Sequence, residues 1–201
     1  MQDLQLYSLR EDDYDAIIEL GAAVHGKNYL THQSLEQIHR KSCSRGKCCS
    51  YVMYDGAREQ GNLAAFRLTY APGQWEVDEW CTPDAWEVEP EKVCYFKSNT
   101  VASDYRGQGL GPHLLDVSMQ TAKALGAEAG ITHIWLSSPG KSAFRYFRRA
   151  GGELLWIWPG RWKDDWQKDG YICAYCCRHG AIQPCQCFAA EMILHFGEQD
   201  E

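Results

Sequence analysis

The chain has 201 residues, 45% of them hydrophobic, with eight Trp and eleven Tyr, enough large apolar surface for one core without metal or disulfide staples. A net charge of −7, with twenty Lys and Arg scattered along the chain, argues against a nucleic-acid or anionic-membrane surface, and no apolar run reaches the length of a spanning helix. Met1 to Arg10 lacks the basic start and apolar middle of a secretory signal, so a soluble cytoplasmic protein is expected, its ten cysteines mostly thiols; export would imply disulfides instead.

Leu4, Leu6 and Ser8 alternate with Gln5 and Tyr7 as a first strand, and Glu11-Asp12-Asp13 suits the acid-favouring first turn of a helix that turns Ile17, Ile18 and Leu20 inward. His25 to Thr31 reads as a loop. Ser34 with Gln37 reads as a capping box and predicts a second helix to Lys41. Cys49–Tyr54 and Leu63–Tyr70 are β-rich runs around a Gly-containing turn, a hairpin. Pro and Gly then break any period up to Glu91, before the β-branched and aromatic strand Val93–Ala102. From Leu110, apolar residues at 114, 115, 122 and 125 fall at helical spacing, with Pro112 in the first turn and Gly126 at the end. Ile131–Leu136 is a strand, Ser142–Ala150 a helix closed by Gly151-Gly152, and Glu153–Trp158 another strand. Tyr171–Cys177 and Ala189–Phe196 are expected to be the last two strands. The whole chain, 1–201, reads as one domain, with 159–188 an insertion or Cys-rich elaboration before the last strand.

Between the strand ending near Ala102 and the helix starting at Leu110 lies Arg106-Gly107-Gln108-Gly109-Leu110-Gly111. Strand, glycine loop and helix in that order suit a phosphate: glycines let the backbone come close, and the free amides and dipole of the helix start attract the anion. The spacing G-x-G-x-G departs from the G-x-G-x-x-G of a dinucleotide-binding turn, and the Gly-Lys-Ser or Gly-Lys-Thr of a P-loop is absent. A strand-to-helix turn that needs glycine only for its dihedral angles is the plain alternative.

The segment Val101 to Gly111 and the helix behind it closely resemble the acyl-coenzyme-A binding motif of the GNAT N-acyltransferase superfamily: Arg or Gln, two residues, Gly, one residue, then Gly or Ala. Arg106, Gly109 and Gly111 match it, and Val101 and Tyr105 stand where the family commonly has Val and Tyr. The resemblance implies an α+β fold in α/β/α layers, a mixed central sheet of about six to seven strands with four flanking helices, here with a Cys-rich C-terminal elaboration. It also implies acetyl-CoA as cosubstrate, with its phosphate on residues Arg106, Gly107, Gln108, Gly109, Leu110 and Gly111. The pantetheine arm would run along Thr100, Val101 and Ala102. Family analogy adds a homodimer.

Acyl transfer from a thioester to an amine needs a base for the amine and an acid for the departing thiolate. The resemblance implies a Tyr acid on the helix after the fifth strand. Aligning Ala143–Gly151 with that helix puts Phe147 in the Tyr position and Tyr146 one residue off, a rotation of about 100°. Tyr146 is the candidate acid, and a core or rim aromatic is the alternative. Some family members carry a Glu on the strand corresponding to Val93–Ala102, which here has no acid. Carboxylates instead crowd Glu76 to Glu91 around Trp75, Trp80 and Trp86. They read either as the mouth for a cationic amine, with Glu79 as candidate base, or as a solvated acidic loop whose indoles cover the sheet edge.

Cys173, Cys176, Cys185 and Cys187, with Cys177 and His179 among them, have the soft-donor character of a zinc site, yet Cys185-x-Cys187 departs from the usual second pair. Reduced core thiols and redox chemistry remain alternatives. Three functions fit: acetyl transfer to the primary amine of a small cationic substrate by direct attack in a ternary complex, a coenzyme-A-binding sensor without catalysis, and a protein Lys or N-terminal acetyltransferase.

Overall fold

The computed structural model describes residues 3–138, 142–165, 170–175 and 185–197. Strands β1 (Leu4–Ser8), β4 (Tyr51–Asp55), β5 (Asn62–Tyr70), β6 (Val93–Val101), β7 (Ala129–Trp135), β8 (Glu153–Pro159) and β9 (Phe188–His195) form one mixed sheet in the order β1-β4-β5-β6-β7-β9-β8. A two-stranded ribbon, β2 (Cys43–Ser44) with β3 (Lys47–Cys48), stands apart. Helices α1 (Tyr14–His25) and α2 (His32–Ser42) cover one face, and α3 (Leu110–Ala124) and α4 (Ser142–Arg149) the other. This is the α/β/α layering expected, with four α-helices and a seven-stranded sheet among the described residues. Among the described residues no helix is long and apolar enough to cross a membrane.

The period-2 alternation of the central strands decides the layers, because odd and even side chains leave a strand on opposite faces. Val52 and Tyr54 of β4 pack under α1 and α2 with Phe66 and Leu68 of β5, whereas Met53 and Ala65 pack against Leu110 and Leu114 of α3. On the far half of the sheet, Cys94, Phe96, Met192 and Leu194 meet α3 and α4. Val93, Tyr95, Ile131 and Ile193 are instead covered by the loop between β5 and β6, through Trp75, Cys81 and Trp86.

Helix α2 starts earlier than its sequence signal. Thr31 is its N-cap, accepting from Ser34 N at 3.1 Å while Thr31 N donates to Ser34 Oγ at 2.9 Å, so Ser34 is the third helical residue rather than the cap. Gly170–Tyr175 is not a strand: Ile172 N donates to the carbonyl of Lys27, in the loop after α1, and Ala174 N to that of His25, the last residue of α1. The rest of the expected strand, Cys176 and Cys177, lies outside the described residues.

Candidate active site

The parallel ladder between β6 and β7 is short. It joins Val93 to Ala129, Cys94 to Gly130 and Tyr95 to Ile131, and then the strands part, β7 staying with β9 as far as Trp135. At the fork Thr132 Oγ1 donates to Phe96 O at 2.9 Å. One residue on, Lys97 is the extra residue of a β-bulge, since β5 pairs Leu68 with Ser98 but Thr69 with Phe96. Bulges bend a strand and raise its twist, which turns the C-terminal half of β6 away from β7. Openings outside the carboxyl ends of parallel strands are the usual ligand positions of such sheets.

The end of β6 leads into the glycine loop. Tyr105 anchors it by donating to Asp55 Oδ2 at 3.1 Å, and Arg106 folds back to donate from Nε to Val101 O at 3.2 Å. Gly107 and Gly109 have φ of 78° and 82°, backbone open to glycine, and a Cβ on either would stand in open space with no atom within 4 Å. The amides of residues 107 to 111 take no partner among the described residues; the first engaged amide is that of His113, bonded to Gly109 O. Five unpaired N–H groups at the positive end of α3, over a surface kept clear of side chains, fit the pyrophosphate of a nucleotide-bearing cosubstrate. Of the three residues expected along the pantetheine arm, Val101 and Ala102 are half-buried, with Ala102 N spent on Ala64 O. Thr100 is buried, its hydroxyl turned to His25.

On the α3–α4 face, Phe147 is buried in the core against Phe96, and Tyr146 is the residue that emerges. Its hydroxyl accepts from Arg67 Nη1 at 3.3 Å, and its ring borders the first turn of α3, where a Cβ on Gly111 would lie 3.7 Å from it and 3.2 Å from Asn99 Nδ2. Glycine at 111 is thus what lets α3 sit close to both. Arg67 is 2% exposed, with its guanidinium 4.6 Å from the Phe96 ring centroid, and its Nε and Asn99 Oδ1 are buried without a partner. Helix α4, β5 and the bulged strand therefore bring Arg67, Asn99 and Tyr146 together beside the loop. Nothing in the sequence reading singled out Arg67, although a cation inside the apolar run Leu63–Tyr70 is a signal for it.

The opposite face carries imidazoles and phenols. His25 Nε2 is 2.9 Å from Thr100 Oγ1, and Tyr29 and Ser98 share a 2.9 Å hydrogen bond. Burial and, next, the Arg106 charge lower the His25 pKa to about 4. His133 of β7 pairs with the Tyr95 hydroxyl at 3.0 Å and with Trp80 O; burial, and after it Arg161, lowers its pKa to about 3. Both rings are neutral at pH 7. Across this face runs 170–175, bonded to Lys27 and His25 at one end, with Tyr171 Oη donating to His25 O and Tyr175 edge-on to Trp135 at 5.6 Å. It bridges the two sides of the fork as a strap.

Glu79 is exposed on the loop over β6, β7 and β9 and makes no hydrogen bond or ion pair among the described residues. Its neighbours are engaged: Asp78 with Arg161 at 3.2 Å, and Trp80 edge-on to Trp158. Trp86 is buried on Glu191, and Trp75 Nε1 donates to Val93 O at 2.7 Å, so these two indoles cover the sheet instead of facing a substrate. Of the expected zinc ligands, Cys185 and Cys187 are buried and Cys173 half-buried, Cys176 lies outside the described residues, and the three described thiols are not gathered as a donor trio.

The architecture matches solved N-acetyltransferases over nearly the whole chain. Ard1 from Thermoplasma volcanium superposes with a TM-score of 0.66 at 11% identity, over 97% of this chain and 99% of that one. The ribosomal-protein-S18-alanine N-acetyltransferase from Escherichia coli gives 0.61 at 14% identity, over 98% of each. A chain of the NatC complex bound to Gag peptide and CoA gives 0.67 at 11% identity, over 98% of this chain and 100% of that one. No curated protein matches the chain by sequence. The profile of the acetyltransferase (GNAT) family matches residues 5–152, which takes in β1 through α4 with the fork and its glycine loop, and the chain belongs to that family.

Proposed function

We propose that the chain transfers the acetyl group of acetyl-CoA to the primary amine of a small, cationic substrate by direct attack in a ternary complex. The observation that carries this is the three-pair β6–β7 ladder, whose opening runs to the unpartnered amides at the head of α3. The pyrophosphate sits on residues 106 to 111 and the arm follows the free edge of β6. The amine nitrogen attacks the thioester carbonyl, the new C–N bond forms as the C–S bond breaks, and Tyr146 gives its proton to the departing sulfur. Arg67 steadies the phenolate left behind. Glu79, in the exposed acidic stretch with Glu76 and Asp78, takes the proton lost by the amine. A small acceptor is favoured over a polypeptide because the strap at 170–175 roofs the fork on the side away from α3 and α4.

The test is thiol release from acetyl-CoA across cationic, aromatic and amino-acid amines and N-terminal or lysine peptides. Turnover with small amines, reduced in Tyr146→Phe and, with a shifted pH profile, in Glu79→Gln, is the expected result. Acetyl-CoA binding by calorimetry without thiol release for any acceptor would overturn it and mark a binding module, the reading that Phe147 in the family's Tyr position favours.

A further inference from the structure

Away from the fork, His39, Cys43 and Cys48 each present a half-buried donor atom, all within 4.8 Å of one another. Their spacing, H-x3-C-x4-C, falls in the range of short zinc-binding segments. His39 lies in the last turn of α2, and Cys43 is its C-cap, where the chain turns extended into the ribbon. The ribbon then folds Cys48 directly opposite Cys43 through a turn with Arg45 and Gly46 at φ 48° and 73°. The ribbon is pinned: Cys49 N donates to Ser42 O at 2.9 Å, Ser50 Oγ to Ser42 Oγ at 2.7 Å, and Leu9 N to Ser50 O at 3.0 Å. Tyr14 Oη is 2.9 Å from His39 Nδ1, which fixes the ring and leaves Nε2 for a ligand.

One other donor trio occurs among the described residues, Cys81, His133 and Glu191, and it differs in kind. There the carboxylate takes N–H groups of Thr82, Trp86 and Trp158, both imidazole nitrogens are engaged, and Cys81 Sγ donates to Asp78. That trio is a closed hydrogen-bond network. At the end of α2 the thiols of Cys43 and Cys48 bond each other, and Cys48 also meets Ser8 and the Ser50 backbone, so two sulfurs already stand side by side next to the imidazole.

We propose that His39, Cys43 and Cys48 form a binding site for a soft divalent cation, zinc by its ligand chemistry, that clamps the end of α2 to the β2–β3 ribbon. Two thiolates cancel the charge of the ion and the neutral imidazole completes three ligands, with the fourth position facing solvent at this half-exposed surface. Zinc–sulfur and zinc–nitrogen bonds of about 2.3 and 2.0 Å in a tetrahedron set donor separations of roughly 3.5–3.8 Å, so donors that already lie within 4.8 Å of one another need close by at most about 1 Å.

The probe is cobalt(II), titrated anaerobically into the reduced, chelator-stripped full chain, with zinc analysis of the protein as purified. The parent is expected to show thiolate-to-cobalt charge transfer that zinc displaces, and to melt at a higher temperature with zinc. Cys43→Ser with Cys48→Ser should bind one equivalent less than the parent and lose the zinc-induced shift, whereas Cys185→Ser with Cys187→Ser should retain this site. Tyr14→Phe, which keeps the ring, should weaken binding by about tenfold. Equal stoichiometry in the parent and the Cys43→Ser, Cys48→Ser variant, folded by circular dichroism, would overturn the proposal, as would the absence of any cobalt–thiolate absorption.

Discussion

Replacing Arg67 with Met separates catalysis from stability. The guanidinium is buried, donates to Tyr146 at 3.3 Å, rests on Phe96, and has no partner for its Nε among the described residues. Desolvating such a charge costs several kcal/mol, so an apolar side chain of similar volume should leave the fold within about 1 kcal/mol of the parent, in either direction. Turnover should respond differently. A hydrogen bond from a charged donor is worth about 1.5–3 kcal/mol, and if it is realised on the phenolate as the thiolate is protonated, its loss lowers kcat by about 10- to 150-fold. Thiol release at saturating acetyl-CoA, measured with urea unfolding on the same preparation, reads both quantities, and Arg67→Lys should recover part of kcat. An unchanged kcat would refute the role assigned to Arg67. So would a large stability loss with proportionate loss of activity, which would make the residue structural.

At Gly109, with φ of 82°, alanine should cost about 1–2 kcal/mol of stability and put a methyl group into the phosphate cradle, weakening acetyl-CoA binding by calorimetry; parent-like affinity would place the phosphate elsewhere. Glu191→Gln keeps an oxygen for Thr82 and Trp86 but sets an amide N–H against Trp158 Nε1, a loss of about 1.5–3 kcal/mol that should lower the urea midpoint. The imidazoles of His25 and His133 are neutral in the fold down to about 4 and 3, largely through burial, but take up protons below 6.5 once unfolded. The stability they confer is therefore present above pH 6.5 and lost as the pH falls below it. Unfolding free energy that stays flat between pH 6.5 and 4 would contradict this, and His133→Gln should reduce the slope.

The cradle was legible because its features are local: a β-branched strand, glycines at 107 and 109, and Leu110, Leu114 and Leu115 at helical spacing place the loop at a helix start whatever surrounds it. The fork follows from the family resemblance but not from the residues themselves, since the end of a parallel ladder depends on how β6 and β7 diverge, and the bulge at Lys97 carries no residue signal. Tyr146 and Phe147 show the same limit. Either aromatic fits an amphipathic helix, and only the position of Phe96 decides that 147 is swallowed by the core. The tryptophans at 75 and 86 cannot reveal from composition whether an indole meets a substrate or a sheet; their N–H bonds to Val93 and Glu191 settle that. Tyr171–Cys177 has strand composition, but its described part spends main-chain groups on the end of α1 and the loop after it instead of on a neighbouring strand.

Ile172 and Ala174 tie that strap down through main-chain groups, so exchanging these two side chains leaves their hydrogen bonds in place, whereas Tyr171 and Tyr175 hold it through their side chains. Gly26 lies beneath it at φ 117°: a Cβ there would run into the Ile172 carbonyl and the Ala174 nitrogen. On the function proposed above, one added methyl at residue 26 lifts the strap and admits bulkier acceptors, a short mutational route by which this scaffold can widen its substrate range.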